Sequence, residues 1–451
     1  MSYIKNNWKS GDKVTSEKLN NIENGIKGNE KKIENLNFQY NKYGLPILYI
    51  NGDISKMTKD DKVTLNYVYG DKTGTCTMKW QGSSSLAYPK KNYTIVFDNA
   101  FEAVEGWGKQ NKYCLKANYI DFSHSRNICS ANIWSNLVKY RRANVLPETV
   151  FNKSEAITGN KILNDETILN NLANTPNNGA IAGFPILLII NEKYVGLYTL
   201  NIPKEGWLFG MDGATVNGAF VCAEGGDVSG ACSFKTSDNI FSNSGFELEY
   251  NSETLTEEML ENSLKTLINT CIAINEGTED ISALDPYIDW PSVIDYMLYA
   301  LSAGHLDGLI KNYILATYDG VKWFMSAYDM DSTFGLNWDG KSFVGANTST
   351  NINSLKQQNI LFKIILEDDN KKAILKRRYN EMTTWAQTLP LAQDFITNTF
   401  ITFISQIHHS IYLKESELWE GIPCTSINNV SQILQWYNTR INYITNLINS
   451  L

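Results

Sequence analysis

Hydrophobic and polar residues alternate along the stretch from Leu45 to about Phe97. The apolar positions in its predicted strands are Ile47, Tyr49, Val63, Leu65, Tyr67 and Tyr69. Alternation with a period of two turns one side of each strand to a core and the other to water, so the stretch predicts antiparallel sheet. A second strand pair is predicted over residues 184–202, with Glu192 and Lys193 in the hairpin between its strands.

Helical spacing of apolar residues dominates later in the chain. Residues 254–275 and 289–303 predict two helices, and most of residues 357–451 is also predicted to be helical. An earlier helix is expected to begin near Ser123 and to continue to Tyr140. Strands followed by helices in this order predict an α+β fold.

The chain is long enough for more than one structural unit. Its 451 residues, 43% of them hydrophobic, can build a core of two or three domains. We predict a separate N-terminal unit at residues 1–40, a sheet-rich lobe at residues 41–250 and a helical lobe at residues 251–451.

The N-terminal unit has the pattern of a short coiled coil. Its apolar residues follow heptad spacing and are Leu19, Ile22, Ile26, Ile33 and Leu36. Asn29 takes the missing core position, and a single polar core residue fixes register and oligomer state. A stripe of about two and a half heptads is marginal as an isolated helix. We therefore predict that copies of the chain associate here as a trimer or higher oligomer; the alternative is an amphipathic helix that docks on its own chain.

Charge and composition exclude several classes of protein. The net charge of −8 argues against a nucleic-acid partner or an anionic membrane surface. No apolar run approaches the ~20 residues of a transmembrane helix, and the polar N-terminus has no signal-peptide core. The seven cysteines, an odd number without paired spacing, indicate reduced thiols in a protein made in the cytoplasm. The four histidines are too scattered for a zinc site.

Acidic residues surround a predicted hairpin in residues 295–335. The strand-like runs 313–318 and 323–327 are joined at an Asp319-Gly320 turn. Asp307 and Asn312 precede the hairpin, and Asp329 and Asp331 follow it. Carboxylates this close repel one another unless a cation screens them, which favours a divalent metal site. The alternative is a solvated loop aspartate and a capping asparagine.

Basic residues upstream are candidates for binding phosphate. Gly82 and three serines form a flexible turn rich in hydrogen-bond donors, and Lys90 and Lys91 follow it. Lys91 is the first choice for a phosphate contact and Lys90 the second; the alternative is a glycine-serine hairpin with solvent-exposed lysines. Lys116 lies on a predicted strand from which it could reach a cleft, and ranks below Lys91.

Arg126 is a further candidate for ligand binding. It lies in the first turn of the predicted helix that begins near Ser123, where the helix dipole disfavours a positive charge. Such a position suggests that Arg126 pairs with a specific group, either Asp121 or a ligand.

Four stretches of the chain, in order, resemble motifs of the spore-coat protein H (CotH) kinase family. Residues 79–97 contain a glycine-serine turn and the pattern PKK-x-Y-x-I-x-F, and residues 114–127 are similar to L-x-A-x-Y-x-D-x-S-x-x-R-N. Residues 189–198 resemble the strand pair N-G-x-Y-x-G-x-Y, and residues 328–335 resemble D-x-D-x-T-x-G. The resemblance spans roughly residues 76–340 and is far more specific than any single motif.

The resemblance implies an atypical kinase-like domain with two lobes and a nucleotide-sized cleft between them. It implies ATP with Mg²⁺ or Mn²⁺ as cofactor, Asp331 as the main metal ligand and Asn312 as a second one. Asp307 would orient or deprotonate the attacking hydroxyl, and Asp329 would assist the metal or accept a structural hydrogen bond. The loop before Asp307 reads Gly-His-Leu-Asp where ordinary kinases have His-Arg-Asp, so the roles of Asp307 and Asp329 could be exchanged.

The N-terminal unit resembles a different group of proteins. The pattern W-x-x-G-D-x-V-T-x-x-x-L-N-x-I-E-x-G-I, which begins at Trp8, is similar to the opening of many tailed-phage baseplate and tail-fibre proteins. There it serves as the anchor to the virion. The resemblance implies a phage tail, baseplate or tail-appendage protein, made in the host cytoplasm and located in the virion. Its partners would be copies of itself, other tail or baseplate proteins and, in addition, a host surface protein.

The sequence therefore leaves three candidate functions for the chain. The first is a virion structural protein whose main domain is a CotH-type kinase acting on Ser or Thr. The second is the same virion protein with an inactive kinase-like domain used for assembly or adhesion. The third, a bacterial spore-coat kinase unrelated to phage, is disfavoured by the N-terminal pattern.

Overall fold

The computed structural model of the chain describes residues 15, 23, 44–142, 165–212, 216–347, 352–384, 389–419, 421–423 and 430–451. These residues contain eleven strands in two sheets and ten α-helices, which confirms the predicted α+β class. The predicted coiled coil in residues 1–40 lies outside the described residues, apart from Thr15 and Glu23, and stays a prediction.

The first sheet has seven strands and closes on itself as a barrel. Its strands are β1 (Ile47–Asn51), β2 (Val63–Tyr69), β3 (Lys72–Gln81), β4 (Asn92–Phe101), β5 (Gln110–Lys116), β6 (Gly183–Ile190) and β7 (Lys193–Asn201). They follow the order β1-β2-β3-β4-β5-β7-β6, and β6 returns to β1. All neighbours are antiparallel except β1 and β6, which are parallel.

Alternation in the sequence sets the inner face of the barrel. In β2 the side chains of Leu65 and Tyr67 are buried and those of Thr64 and Asn66 are exposed, as predicted, whereas Val63, Val68 and Tyr69 are half-buried. The strand β6 differs, since all residues from Pro185 to Ile190 are buried. Asn191 and Glu192 connect β6 to β7 with φ angles of 50° and 63°, which confirms the predicted hairpin but moves its turn by one residue, since Lys193 already belongs to β7.

The second sheet has four antiparallel strands in the order β11-β10-β8-β9. The strands are β8 (Ala219–Ala223), β9 (Phe246–Asn251), β10 (Tyr313–Thr317) and β11 (Phe324–Ala327). Pairing of β10 with β11 confirms the predicted hairpin around Asp319, although residues 318–323 form a longer connection than a tight turn. The predicted boundary between residues 250 and 251 falls inside this sheet, because β8 and β9 come from one side and β10 and β11 from the other.

Ten helices complete the described fold. They are α1 (Arg126–Arg142), α2 (Glu166–Ala173), α3 (Glu257–Asn275), α4 (Trp290–Ala303), α5 (Ile352–Gln358), α6 (Ile360–Glu367), α7 (Asp369–Thr384), α8 (Gln393–Ser405), α9 (His409–Leu418) and α10 (Val430–Asn449). Every residue of α4 is buried, so this helix forms the centre of the helical part. Helix α1 begins three residues after the predicted Ser123 and includes Tyr140.

A buried ionic network joins three of these helices. Asp295, in the middle of α4, accepts hydrogen bonds from Arg378 of α7 at 2.7 and 3.0 Å. Arg141 of α1 lies 2.9 Å from the same carboxylate. Since a buried carboxylate without a partner is costly, the two arginines fix the mutual positions of α1, α4 and α7.

The described part of the chain contains no helix that is long and apolar enough to cross a membrane. Its six cysteines are all buried and unpaired, in agreement with the reduced thiols predicted from the sequence.

Candidate active site

The acidic residues meet at one end of the second sheet. Strand β10 begins directly after Asn312, and β11 ends shortly before Asp329 and Asp331. Because the two strands are antiparallel, with Tyr313 opposite Ala327, the start of one and the end of the other lie at the same edge. Asp307 precedes Asn312 in a short 3-10 turn. The structure therefore brings together the four polar residues predicted around the hairpin.

Two of these residues have an unusual backbone conformation. Asn312 and Asp329 have φ angles of 56° and 51°, in the left-handed region that residues other than glycine rarely occupy. The N–H of Asn312 donates to the carbonyl of Ala223 at 2.8 Å, at the end of β8. The buried ring of His305 lies 3.4 Å from the carbonyl of Asn312. These contacts fix the turn before β10, and this role of His305 was not predicted.

The loop that contains Asp331 is anchored to helices α1, α8 and α10. The carbonyl of Thr333 accepts a hydrogen bond from Nε of Arg126 at 3.0 Å. Phe334 is buried, with its ring centroid 4.8 Å from that of Phe400. Gly335 has a φ of 87°, and a Cβ atom there would lie 2.5 Å from the ring of Trp436. Only glycine fits this position, because any side chain would collide with Trp436 and strain the backbone.

Burial and neighbouring charges both act on the carboxyl of Asp331. Burial raises the pKa of this carboxyl well above its usual range, and the charge of Asp329 raises it further. Lys116 opposes the shift, while Asp121 and Asp307 add to it. Asp121 is already paired with Arg126 and Asp307 with Lys311, so the charges of Asp329 and Asp331 are the ones that a bound cation would mainly relieve.

The donor atoms at this edge are oxygens, which Mg²⁺ prefers. In the described structure the ligand atoms of Asp307, Asp329 and Asp331 do not all lie within 4.8 Å of one another. Mg²⁺ keeps several waters and takes one or two carboxylates together with substrate phosphates. Asp331 and Asn312 would hold such an ion, with Asp329 beside them, and the ion would supply charge neutralisation at the phosphates.

Arg126 has the pairing that the sequence suggested. Its Nη1 lies 2.5 Å from the carboxylate of Asp121, and its backbone N–H donates to the same group at 2.8 Å. The side chain is fully buried and also bonds Thr333, as described above. Of the two predicted partners, the structure therefore shows Asp121. Through its hydrogen bond to Thr333, Arg126 also holds the acidic loop in place.

The glycine-serine turn lies beside the acidic loop. Tyr88, at the end of that turn, has a pKa raised by burial and then by the charge of Asp331. The ammonium of Lys91 donates to the carbonyls of Leu86 and Tyr88 at 2.5 and 2.6 Å. Lys91 thus holds the turn in place, and its hydrogen bonds are directed at the protein's own backbone.

Lys90 has a structural partner far along the chain. Its ammonium is buried and lies 2.6 Å from the carboxylate of Glu415 in α9. It also donates to the carbonyl of Leu197 in β7 at 2.5 Å. The predicted phosphate contact at Lys90 is therefore replaced by a buried ion pair, because a fully enclosed ammonium cannot also reach a ligand.

A small cavity lies between the end of the barrel and the acidic loop, and we call it the barrel-end slot. Its lining includes Gln81, Lys116, Asn201, Lys204 and Asp329. Its volume is about 10 Å³, which is room for about one water molecule. Lys116 thus lines a slot beside Asp329, which is far smaller than the nucleotide-sized cleft that the resemblance implied.

Lys204 is the basic residue that sequence reasoning missed. Its ammonium forms ion pairs with Glu249 of β9 and with Glu224, which follows β8, the latter at 3.2 Å. It also lies 4.9 Å from the ring centroid of Tyr328. In the sequence, only its position three residues after the end of β7 pointed to Lys204, since both acidic partners come from later parts of the chain.

Comparison with known proteins agrees with the resemblance seen in the sequence. The family model described as "CotH kinase protein" matches residues 78–444, from strand β3 of the barrel to helix α10. No curated protein matches the chain.

Proposed function

Because the chain belongs to the CotH kinase protein family, we propose that it binds ATP with Mg²⁺ or Mn²⁺ and transfers phosphate to a Ser or Thr hydroxyl. The observation that carries this proposal is the acidic edge of the second sheet. There burial and the charges of Asp329, Asp121 and Asp307 raise the pKa of Asp331, while Lys116 is the cation that opposes them. Such a site gains from a divalent cation and a ligand that brings its own phosphates.

Each polar residue at this edge has a proposed task. Asp331 and Asn312 hold the metal, and Asp329 lies beside them. Asp307 is only half-buried, so its carboxylate remains accessible to a substrate. One of its oxygens lies 3.4 Å from the ammonium of Lys311. Asp307 orients the attacking hydroxyl and accepts its proton as the bond from the terminal phosphorus to the new oxygen forms and ADP leaves. If the tasks of Asp307 and Asp329 are exchanged, the same chemistry follows.

Asp307→Ala is expected to keep metal-ATP binding and to lose phosphate transfer. Removal of a proton acceptor affects the transition state more than the bound nucleotide, and general-base catalysis contributes about 10²–10⁴-fold in rate. The measurement compares calorimetric affinity for ATP with transfer of labelled phosphate to a protein substrate or to the chain itself. Asp60→Ala, at an exposed carboxylate of the barrel, is the control. A wild-type protein without affinity for millimolar metal-ATP would contradict the kinase proposal and favour an inactive domain used for assembly or adhesion.

We further propose that the chain is a component of a phage tail, baseplate or tail appendage. The support is the N-terminal pattern around Trp8 and the heptad positions that follow it in residues 1–40. These features favour self-association as a trimer or higher oligomer and attachment to other tail proteins. The kinase-like domain would then face a phage or host surface protein as substrate or receptor.

The full-length protein is expected to be a trimer or higher oligomer, and a variant without residues 1–40 is expected to be a folded monomer. Light scattering coupled to size-exclusion chromatography measures both masses. Mass spectrometry of purified particles tests the location in the virion. A full-length chain that is monomeric at tens of micromolar and absent from particles would refute the virion proposal, and would leave the kinase proposal to its own test.

A further inference from the structure

The barrel-end slot contains buried polar atoms without partners. Asn201 is 1% exposed, and neither its amide oxygen nor its amide nitrogen has a hydrogen-bond partner in the described structure. The amide oxygen of Gln81 has none either. Buried polar groups are nearly always hydrogen-bonded. A side chain at Gly183 would collide with Asn201, at 2.2 Å from its Oδ1, so the backbone leaves room for this amide.

Two lysines supply positive charge to the same slot. Lys116 lies at the end of β5, and within the described residues its ammonium has no ion pair or hydrogen bond of its own. Lys204 is 18% exposed and is held at the slot by Glu224 and Glu249. Because these carboxylates come from the second sheet, Lys204 joins the barrel to the sheet that carries the acidic loop.

A thiol and two carboxylates lie close to one another beside the slot. Cys222, Glu224 and Glu249 have ligand atoms within 4.8 Å of one another. The ammonium of Lys204 contacts both carboxylates and already balances their charge. The function of this group is therefore to position Lys204.

We propose that the barrel-end slot is the phosphate subsite of the nucleotide site, with Lys116, Lys204 and Asn201 as donors to phosphate oxygens. This inference rests on the proposed function for the nucleotide itself. Two ammonium groups and an amide N–H match the oxygens of a polyphosphate. Asp329 also lines the slot, and its negative charge would repel bare phosphate. The ligand is therefore a polyphosphate that carries a divalent cation on the side of Asp329.

Binding requires the slot to widen. Its present volume of about 10 Å³ holds about one water, which is too little for a phosphate group. Lys116 is the lining residue that can move most easily, because its long stem ends in an ammonium without an ion pair among the described residues. Lys204 is held by Glu224 and Glu249, and Asn201 belongs to strand β7. The site thus combines one mobile charge with a second charge and an amide that the fold positions.

The test measures binding of magnesium tripolyphosphate and of magnesium ATP by calorimetry. Lys116→Met and Lys204→Met are each expected to weaken the affinity for both ligands at least tenfold. Lys112→Met is the matched control, because Lys112 lies on the same strand as Lys116 but pairs with Glu205 at the surface, where the two side chains are 40% and 41% exposed. Lys204→Arg, which keeps the charge, is expected to retain most of the affinity.

The outcomes separate this inference from the proposed function. Should Lys204→Met fail to fold, Lys116→Met still decides, since it has no ion pair to lose. Affinities of both methionine variants equal to that of Lys112→Met would overturn the phosphate subsite while the nucleotide proposal stands. Tripolyphosphate binding that depends on the slot, without any gain from the adenosine part of ATP, would support the subsite and contradict the nucleotide. A wild-type protein that binds neither ligand would overturn both.

Discussion

Asp331→Asn is expected to abolish the stabilisation that metal-ATP gives to the folded protein. A ligand at a hundred times its dissociation constant stabilises the state that binds it by about 2.7 kcal/mol. Asp331 is the proposed main metal ligand, and an amide is a much weaker ligand for Mg²⁺ than a carboxylate. The melting temperature of the wild type should therefore rise with magnesium and ATP together, and that of the variant should stay constant.

The same substitution is expected to stabilise the protein when metal is absent. Burial and the charge of Asp329 raise the pKa of Asp331 in the folded state above its usual value of 3.8. A carboxyl with a raised pKa holds its proton more tightly when folded, so its ionisation above pH 3.8 costs stability. A neutral amide at this position removes that cost at neutral pH. One variant would thus be more stable without metal and unresponsive to metal-ATP.

Asp339→Asn is the control for both effects. Asp339 is a partly exposed carboxylate in the next loop, and it accepts a hydrogen bond from the N–H of Lys341 at 2.9 Å, which an asparagine can also accept. It should respond to metal-ATP as the wild type does. An Asp331→Asn protein that still shows the full thermal shift would refute Asp331 as a metal ligand.

Glu415→Gln is expected to destabilise the fold by about 3–5 kcal/mol, because it leaves the ammonium of Lys90 buried without a counter-charge. Both side chains are almost completely buried, 2.6 Å apart. His124, whose Nε2 lies 3.9 Å from Glu415, cannot replace the carboxylate as a counter-charge, because an imidazole is neutral or positive. The glutamine retains an acceptor for the N–H of Leu197, so the change isolates the charge. Urea unfolding measures the loss.

Two further variants check the cause of this loss. The double variant Lys90→Met with Glu415→Gln removes the uncompensated charge and should be more stable than Glu415→Gln alone. Lys72→Met breaks a surface pair with Asp71, whose side chain is 88% exposed, and should cost far less stability than Glu415→Gln, because water screens the pair. Equal losses in the buried and the surface variants would contradict the proposed importance of the Lys90–Glu415 pair.

Agreement between sequence and structure is closest where a contact is local. Alternation in β2 predicted which side chains face the barrel interior, since successive residues of any strand point to opposite faces. The polar residues before and after the hairpin of β10 and β11 were predicted to meet, and they do, because antiparallel pairing joins the two ends. Chain order alone therefore located the candidate active site.

The roles of the lysines depended on contacts that no local pattern contains. Lys90 and Lys91 are adjacent in sequence, yet one forms a buried pair with a residue 325 positions away and the other bonds the turn just before it. Lys204 carries no motif and reaches the slot because the second sheet presents Glu224 and Glu249 to it.

The sequence by itself determined the α+β class, the family and the edge at which the acidic residues gather. The tertiary structure alone decided which cations face that edge. Strand periodicity and hairpin closure depend on neighbours within a few residues, so they can be read from one stretch of chain. The environment of a charged side chain depends on which distant group enters the same buried space. Burial makes that pairing decisive, because an enclosed charge must find a partner.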